Sequence, residues 1–278
     1  MYEVRADHVT WRGHRLAYEM RGSGTRPVVL VPGLLLPRHL NGQIANLLVE
    51  AGNTAILLDP IGQGQSDKPT HAYDYRMDHA PGQVLAVMDE LGIERAVVGG
   101  VSLGANFALT MATTDPDRLA GVICEMPVLE RGTIAALWLF GPLLATLRLL
   151  PGPLRLASRL LGLLPRPSYE PAAAVLDTVG DPRVMAAVLH GYMAGPTCPS
   201  AEDRRQIDVP MLVLGHKGDL LHPLDDATAL ANEVPGARLV ESKSLFELRT
   251  RPRRLVNEIA WFLDDCWRES SASDAAAT

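Results

Sequence analysis

The residue best placed to do chemistry is Ser102, in the run Val97-Val98-Gly99-Gly100-Val101-Ser102-Leu103-Gly104-Ala105-Asn106. An apolar, strand-like stretch precedes it and a stretch with helical spacing follows. Gly100 and Gly104 would let the chain bend sharply without side-chain collision, so the serine hydroxyl would project from a strand's carboxyl end as a nucleophile. The competing reading is a glycine-rich turn whose serine only caps the helix. A serine hydroxyl needs a general base to attack at neutral pH. The chain has eight histidines to choose from, so position and not supply decides which could serve.

The elements that would have to hold such a site follow from composition and patterning. The chain has 278 residues, 47% hydrophobic and 21% charged, enough to bury a sizeable core and unlike a disordered or fibrous protein. A net charge of −6 argues against a partner held by phosphate contacts, so no nucleic acid is expected. Cys124, Cys198 and Cys266 are too far apart to suggest a metal site or a disulfide framework. The first twenty-odd residues are charged throughout and alternate apolar with polar, which reads as a β-hairpin and not a signal peptide, and the expected location is cytoplasmic. Short apolar runs recur at Pro27–Val31, Thr54–Leu58, Ala96–Gly99, Ala120–Cys124, Pro210–Leu214 and Ala237–Val240. Helix-like stretches such as Gly82–Leu91 lie between most of them. Strands apolar on both faces, alternating with helices, predict an α/β fold with a mostly parallel central sheet flanked by helices.

The alternation stops between about Pro127 and Arg205. From Arg131 to Tyr169 there are five arginines, no acid and many leucines, with expected breaks at Gly141-Pro142 and Pro151-Gly152-Pro153. The longest charge-free piece, Gly132–Leu147, is shorter than a bilayer span and carries the Gly-Pro pair, so no transmembrane segment is expected. The segment reads either as amphipathic helices packed on the sheet or as a helical lid roofing an apolar pocket, its arginines facing water or an acidic head group. The expected organisation is a core over 1–126 and 206–268, a helical lid over 127–205 and a flexible tail over 269–278. A homodimer is compatible with this layout.

Together with the elbow, three further motifs resemble the α/β-hydrolase superfamily. Asp59-Pro60-Ile61-Gly62-Gln63-Gly64-Gln65-Ser66 is similar to its turn after the fourth strand, and Gly92-Ile93-Glu94-Arg95 to its lead-in to the elbow strand. Gly215-His216-Lys217-Gly218-Asp219 through Pro223 is similar to its acid loop. The resemblance covers nearly all of the chain outside the lid. It implies that Ser102 is the nucleophile and Asp219 the acid that orients a histidine, although a turn aspartate bonding its own backbone would look the same. It also implies an oxyanion hole built from the amides of Leu103 and of Leu34, in Pro32-Gly33-Leu34-Leu35-Leu36. Relatives usually carry His-Gly at that loop. Here the glycine is kept for close backbone approach and Pro32 replaces the histidine.

The chain departs from the family at the base. Aligning the last helix at Arg251-Pro252 puts Leu245 where the family has its catalytic histidine, and no histidine follows His222. His222 lies three residues beyond Asp219, at the mouth of the expected site. As a relocated base it would need one ring nitrogen near Ser102 and the other near Asp219 or Glu125; otherwise it is a turn histidine packed before Pro223. His39 and His190 rank below it, and His8, His14, His71, His79 and His216 read as background. The expected activity is a serine hydrolase acting on a small hydrophobic ester or thioester without a cofactor or metal. The alternative is an α/β-hydrolase-fold lyase, cyclase, isomerase or ligand-binding protein that has given up hydrolysis.

Overall fold

The computed structural model describes residues 3–161, 180–244 and 247–277. Eight strands form one sheet: β1 (Val4–Trp11), β2 (His14–Arg21), β3 (Pro27–Val31), β4 (Thr54–Leu58), β5 (Ala96–Val101), β6 (Leu119–Glu125), β7 (Met211–Gly215) and β8 (Arg238–Glu241). Their order across the sheet is β1-β2-β4-β3-β5-β6-β7-β8. The hairpin β1–β2 joins β4 antiparallel, and every pairing from β4 to β8 is parallel. All six apolar runs are therefore strands, displaced at their ends by no more than two residues.

Why these runs form a sheet buried on both faces is visible in the split of their side chains. Val29, Val31, Ile56, Leu58, Val98 and Val122 face one core, where α2 (Ala80–Glu90) and α3 (Leu103–Thr114) cover the sheet. Val28, Leu30, Ala55, Leu57, Val97 and Ile123 face the other, beneath α1 (Gly42–Glu50) and α10 (Arg253–Ala277). The period of two sends alternate residues to opposite sides, and both sides are apolar because helices cover both.

After β3 the chain passes to β4 on one side and then to β5 on the other. The carboxyl ends of β3 and β5 thus flank the point where the winding reverses, the place where open α/β sheets leave a crevice. The loop holding Leu34 and the turn holding Ser102 are the two segments leaving those ends.

The segment between β6 and β7 contributes α4 (Glu130–Leu149), α5 (Pro151–Leu161), α6 (Pro182–Met193) and the short α7 (Ala201–Arg204). The expected break at Gly141-Pro142 does not occur: α4 is continuous through Pro142. The proline ring removes one donor, but Pro142 and Trp138 are both exposed, so water can take the carbonyl left over. Beyond β7 lie α8 (Leu224–Glu233) and the short α9 (Glu247–Thr250). The terminal residues expected as a flexible tail continue α10 as helix to Ala277, in keeping with the high helix propensity of the alanines there.

Candidate active site

Ser102 links β5 to α3 with φ 55° and ψ −112°, a conformation that costs about 1–3 kcal/mol for a residue with a side chain. Its surroundings leave it no alternative. Its amide donates to the Glu125 carbonyl at 2.8 Å, and its carbonyl accepts the Asn106 amide at 3.1 Å. A Cβ on either Gly100 or Gly104 would overlap the Val31 carbonyl oxygen. Only glycines allow β3, β5 and α3 to meet this closely, and that approach sets the sharp turn.

His222 sits on the loop between β7 and α8. Its Nε2 is 2.8 Å from Ser102 Oγ, and its Nδ1 is 2.7 Å from Asp219 Oδ2. The other carboxylate oxygen of Asp219 accepts the amides of Leu221 at 2.8 Å and His222 at 3.2 Å. Asp219 therefore grips the loop that carries the imidazole as well as the imidazole itself. With Nδ1–H donating to a carboxylate, Nε2 is left with a lone pair facing the serine proton. Burial works to raise the Asp219 carboxyl, but the bonds from the His222 ring and the two amides outweigh it and hold the group below the usual carboxylate range.

Leu34 and Leu103 both open on the same cavity, and among the described residues neither of their amides has a hydrogen-bond acceptor. The loop bearing Leu34 is tightened by a turn in which the Leu36 amide donates to the Gly33 carbonyl at 3.1 Å, with Leu35 at φ 62°. The Leu36 amide also meets Gln63 Oε1 at 3.1 Å, and the Arg38 amide donates to Asp59 Oδ1 at 2.7 Å. Asp59 further pairs with the Arg38 guanidinium in the buried interior. The turn after β4 thus braces this loop from below, which accounts for the tolerance of Pro32. Gly33 is less constrained than expected: a Cβ there would meet Leu36 Cδ1 at 3.3 Å, the movable tip of a side chain.

The cavity measures about 690 Å³ and its walls are largely apolar, with Ala136 and Phe140 of α4 and Leu189 of α6 forming part of the roof. Ser102, His222, Leu34 and Leu103 all lie in its lining. Part of the segment between β6 and β7 thus lies against an apolar cavity. Tyr192 also lines it, 5% exposed and with its hydroxyl unpartnered, its ionisation pushed up by burial.

The remaining candidates fall elsewhere. Glu125 is paired with Arg249 and is not the acid beside His222. His39 is exposed and absent from the cavity wall, and His190 is engaged through Nδ1 by Arg148 at 2.6 Å. Leu245 lies outside the described residues.

Two residues that hold the site together escape a reading of the sequence alone. Asn106, buried one turn after Ser102, donates to the Val128 carbonyl at 2.7 Å and the Thr197 carbonyl at 2.8 Å, and accepts the Val128 amide at 3.1 Å. It ties both ends of the segment between β6 and β7 to the helix that starts after Ser102. Asp226 of α8, buried, accepts the amides of Leu129 and Gly132 at 2.8 Å each and so caps α4. The one available signal was a lone polar side chain in an otherwise apolar helical run, which fits Asn106 and says nothing of Asp226.

Comparison with known proteins agrees with this fold. A family model described as the alpha/beta hydrolase fold matches residues 26–244. Epoxide hydrolase B of Mycobacterium tuberculosis (strain ATCC 25618 / H37Rv) is 39% identical over 88 residues, which are 31% of this chain and 25% of that protein. The chain thus spans about a quarter of the length of the first curated relatives it matches. The enol-lactonase from Burkholderia xenovorans LB400 superposes with a TM-score of 0.74 at 23% identity, covering 93% of this chain and 100% of that one. The haloalkane dehalogenase DatA from Agrobacterium tumefaciens C58 gives 0.72 at 23%, covering 95% and 97%. At such identities the structural matches speak for the fold alone.

Proposed function

Because the chain belongs to the α/β-hydrolase fold family, we propose that it is a serine hydrolase that cleaves a carboxylic ester or thioester with an apolar part, using His222 as a relocated base. The observation that carries this reading is the continuous line of hydrogen bonds from Asp219 through His222 to Ser102 Oγ. Ser102 Oγ attacks the carbonyl carbon as Nε2 takes its proton. The carbonyl oxygen, now an oxyanion, lies between the Leu34 and Leu103 amides. His222 returns the proton to the departing alcohol or thiol, then activates a water that releases the acid from Ser102. Asp219 stabilises the imidazolium in both half-reactions.

The nucleophile also discriminates among the chemistries of the family's relatives. A serine that opened an epoxide or displaced a halide would end as an alkyl ether, which a water and an imidazole do not cleave. Only an acyl group on Ser102 leaves an ester that the same machinery can hydrolyse, so an acyl substrate is the one compatible with turnover. The non-hydrolytic alternative rested on a serine without a base, and a ring nitrogen 2.8 Å from Oγ weighs against it.

Labelling with a fluorophosphonate, together with an ester series, tests the assignment. Labelling lost in Ser102→Ala, with turnover lost in both Ser102→Ala and His222→Ala, is the expected result. An unlabelled wild-type protein without turnover overturns the hydrolase reading, and full turnover in His222→Ala overturns the base.

A further inference from the structure

Of the thirteen large apolar side chains exposed among the described residues, nine lie between Ile134 and Leu160 of the lid. The helix α4 is apolar all round. Its inward side, with Ala136 and Phe140, lines the cavity, while Ile134 at 57% and Trp138 at 79% exposure point the other way. A helix apolar on every side is ordinarily buried in protein or in lipid. The outward face of α4 continues into α5 through Leu149, Leu156 and Leu160, all exposed. Leu220, on the loop of His222, is 93% exposed, and its neighbour Leu221 lines the cavity.

The charge of this face indicates what covers it. Between 131 and 161 there are four arginines and no acid, in a chain whose net charge is −6. Arg148, Arg155 and Arg159 are exposed, and Arg131 pairs with Asp225. Leucine, a tryptophan and arginine without acids make up the composition of helices that lie in the plane of an anionic membrane surface, rings and leucines in the acyl boundary and guanidinium groups at the phosphates.

We propose that the outward face of α4 and α5 docks on an anionic lipid bilayer. By length and composition α4 could cross a membrane. It does not do so in this arrangement, because Asp226 caps its N-terminus in the protein interior and its inner side roofs the cavity. It lies along the bilayer, with the cavity beneath it. The outward face of α4 and α5 has this composition whichever reaction the cavity hosts.

Flotation of the full chain with phosphatidylcholine vesicles, with and without about one third phosphatidylglycerol, tests it. The protein is expected to float with the anionic vesicles and about tenfold less with the neutral ones, and less again at about 0.5 M salt. Trp138→Ser with Leu139→Ser, and separately Arg155→Gln with Arg159→Gln, are expected to lose about tenfold in binding. Unchanged melting temperatures and circular dichroism show that these exposed substitutions leave the fold intact. Absence of flotation with either vesicle, or binding by both variants equal to wild type, overturns the proposal. So does equal binding to neutral vesicles. A dimer in light scattering that the Trp138 variant dissolves, without vesicle binding, assigns the face to a second copy instead.

Discussion

The proposed base shares a loop with the proposed acid, which changes what holds it. His222 follows Asp219 by three residues, so the pair moves as a unit and one carboxylate satisfies the ring and two amides. Asp219→Asn would present an amide that no longer favours the Nδ1–H tautomer. The expected outcome is a loss of about 10²–10⁴ in kcat with KM little changed, read from steady-state ester hydrolysis. The lowered pKa of Asp219 also has a consequence for stability. Its carboxylate stabilises the fold fully above the unfolded value of about 3.9 and loses that contribution as pH falls through the lower folded value. In urea titrations the advantage of wild type over Asp219→Asn should therefore shrink between pH 5 and pH 2.5, about the range of that titration; a gap of constant size there would remove Asp219 as its source. The thiols behave differently. Burial pushes Cys124 up to about 12 and Cys198 up to about 11, and Cys266 is buried. With a thiolate fraction for Cys198 on the order of 10⁻³ at pH 8, iodoacetamide should leave the native mass unchanged and alkylate all three cysteines only after denaturation.

Elements divide into those whose position is set by backbone contact and those set by a single side chain. The elbow belongs to the first kind, since Gly100 and Gly104 admit no Cβ against Val31. The segment between β6 and β7 belongs to the second, hung from Asn106 and Asp226. Asp226→Ala leaves the amides of Leu129 and Gly132 without their acceptor in the interior. A loss of about 1–3 kcal/mol follows, a fall in Tm of several degrees by calorimetry, with Asp226→Asn falling less because one acceptor oxygen remains. A Tm within a degree or so of wild type for Asp226→Ala would show that the cap contributes little. The strands were legible because burial on both faces writes itself as a run of β-branched and aliphatic residues. The continuity of α4 was not, because the cost of Pro142 falls where water can reach the freed Trp138 carbonyl, and exposure is a property of the fold. The caps were not legible either: Asp226 and Leu129 are 97 residues apart, and no local pattern connects them.

At the scale of the molecule, the architecture was legible from the motifs more than from periodicity, since the turn after β4, the turn at Ser102 and the acid loop each require a particular strand end. The capture of Ser102 by His222 was open in the sequence, because it depends on how far β5 and β7 stand apart, with β6 between them. That same arrangement opens Ser102 and His222 on an apolar chamber lined in part by α4 and α6, and the acyl chemistry proposed above makes substrate preference depend on how much chain that chamber admits. Each methylene transferred from water to the walls contributes about 0.8 kcal/mol, or about a fourfold gain. If the acyl chain extends along the roof, kcat/KM for linear esters should climb by about that factor per carbon until the 690 Å³ are filled, then level or fall. Ala136, in the roof, is small, and Ala136→Phe should bring the maximum to a shorter chain while leaving acetate turnover close to wild type. A series that is flat with chain length, or a maximum that Ala136→Phe does not move, would place the apolar part of the substrate outside this chamber.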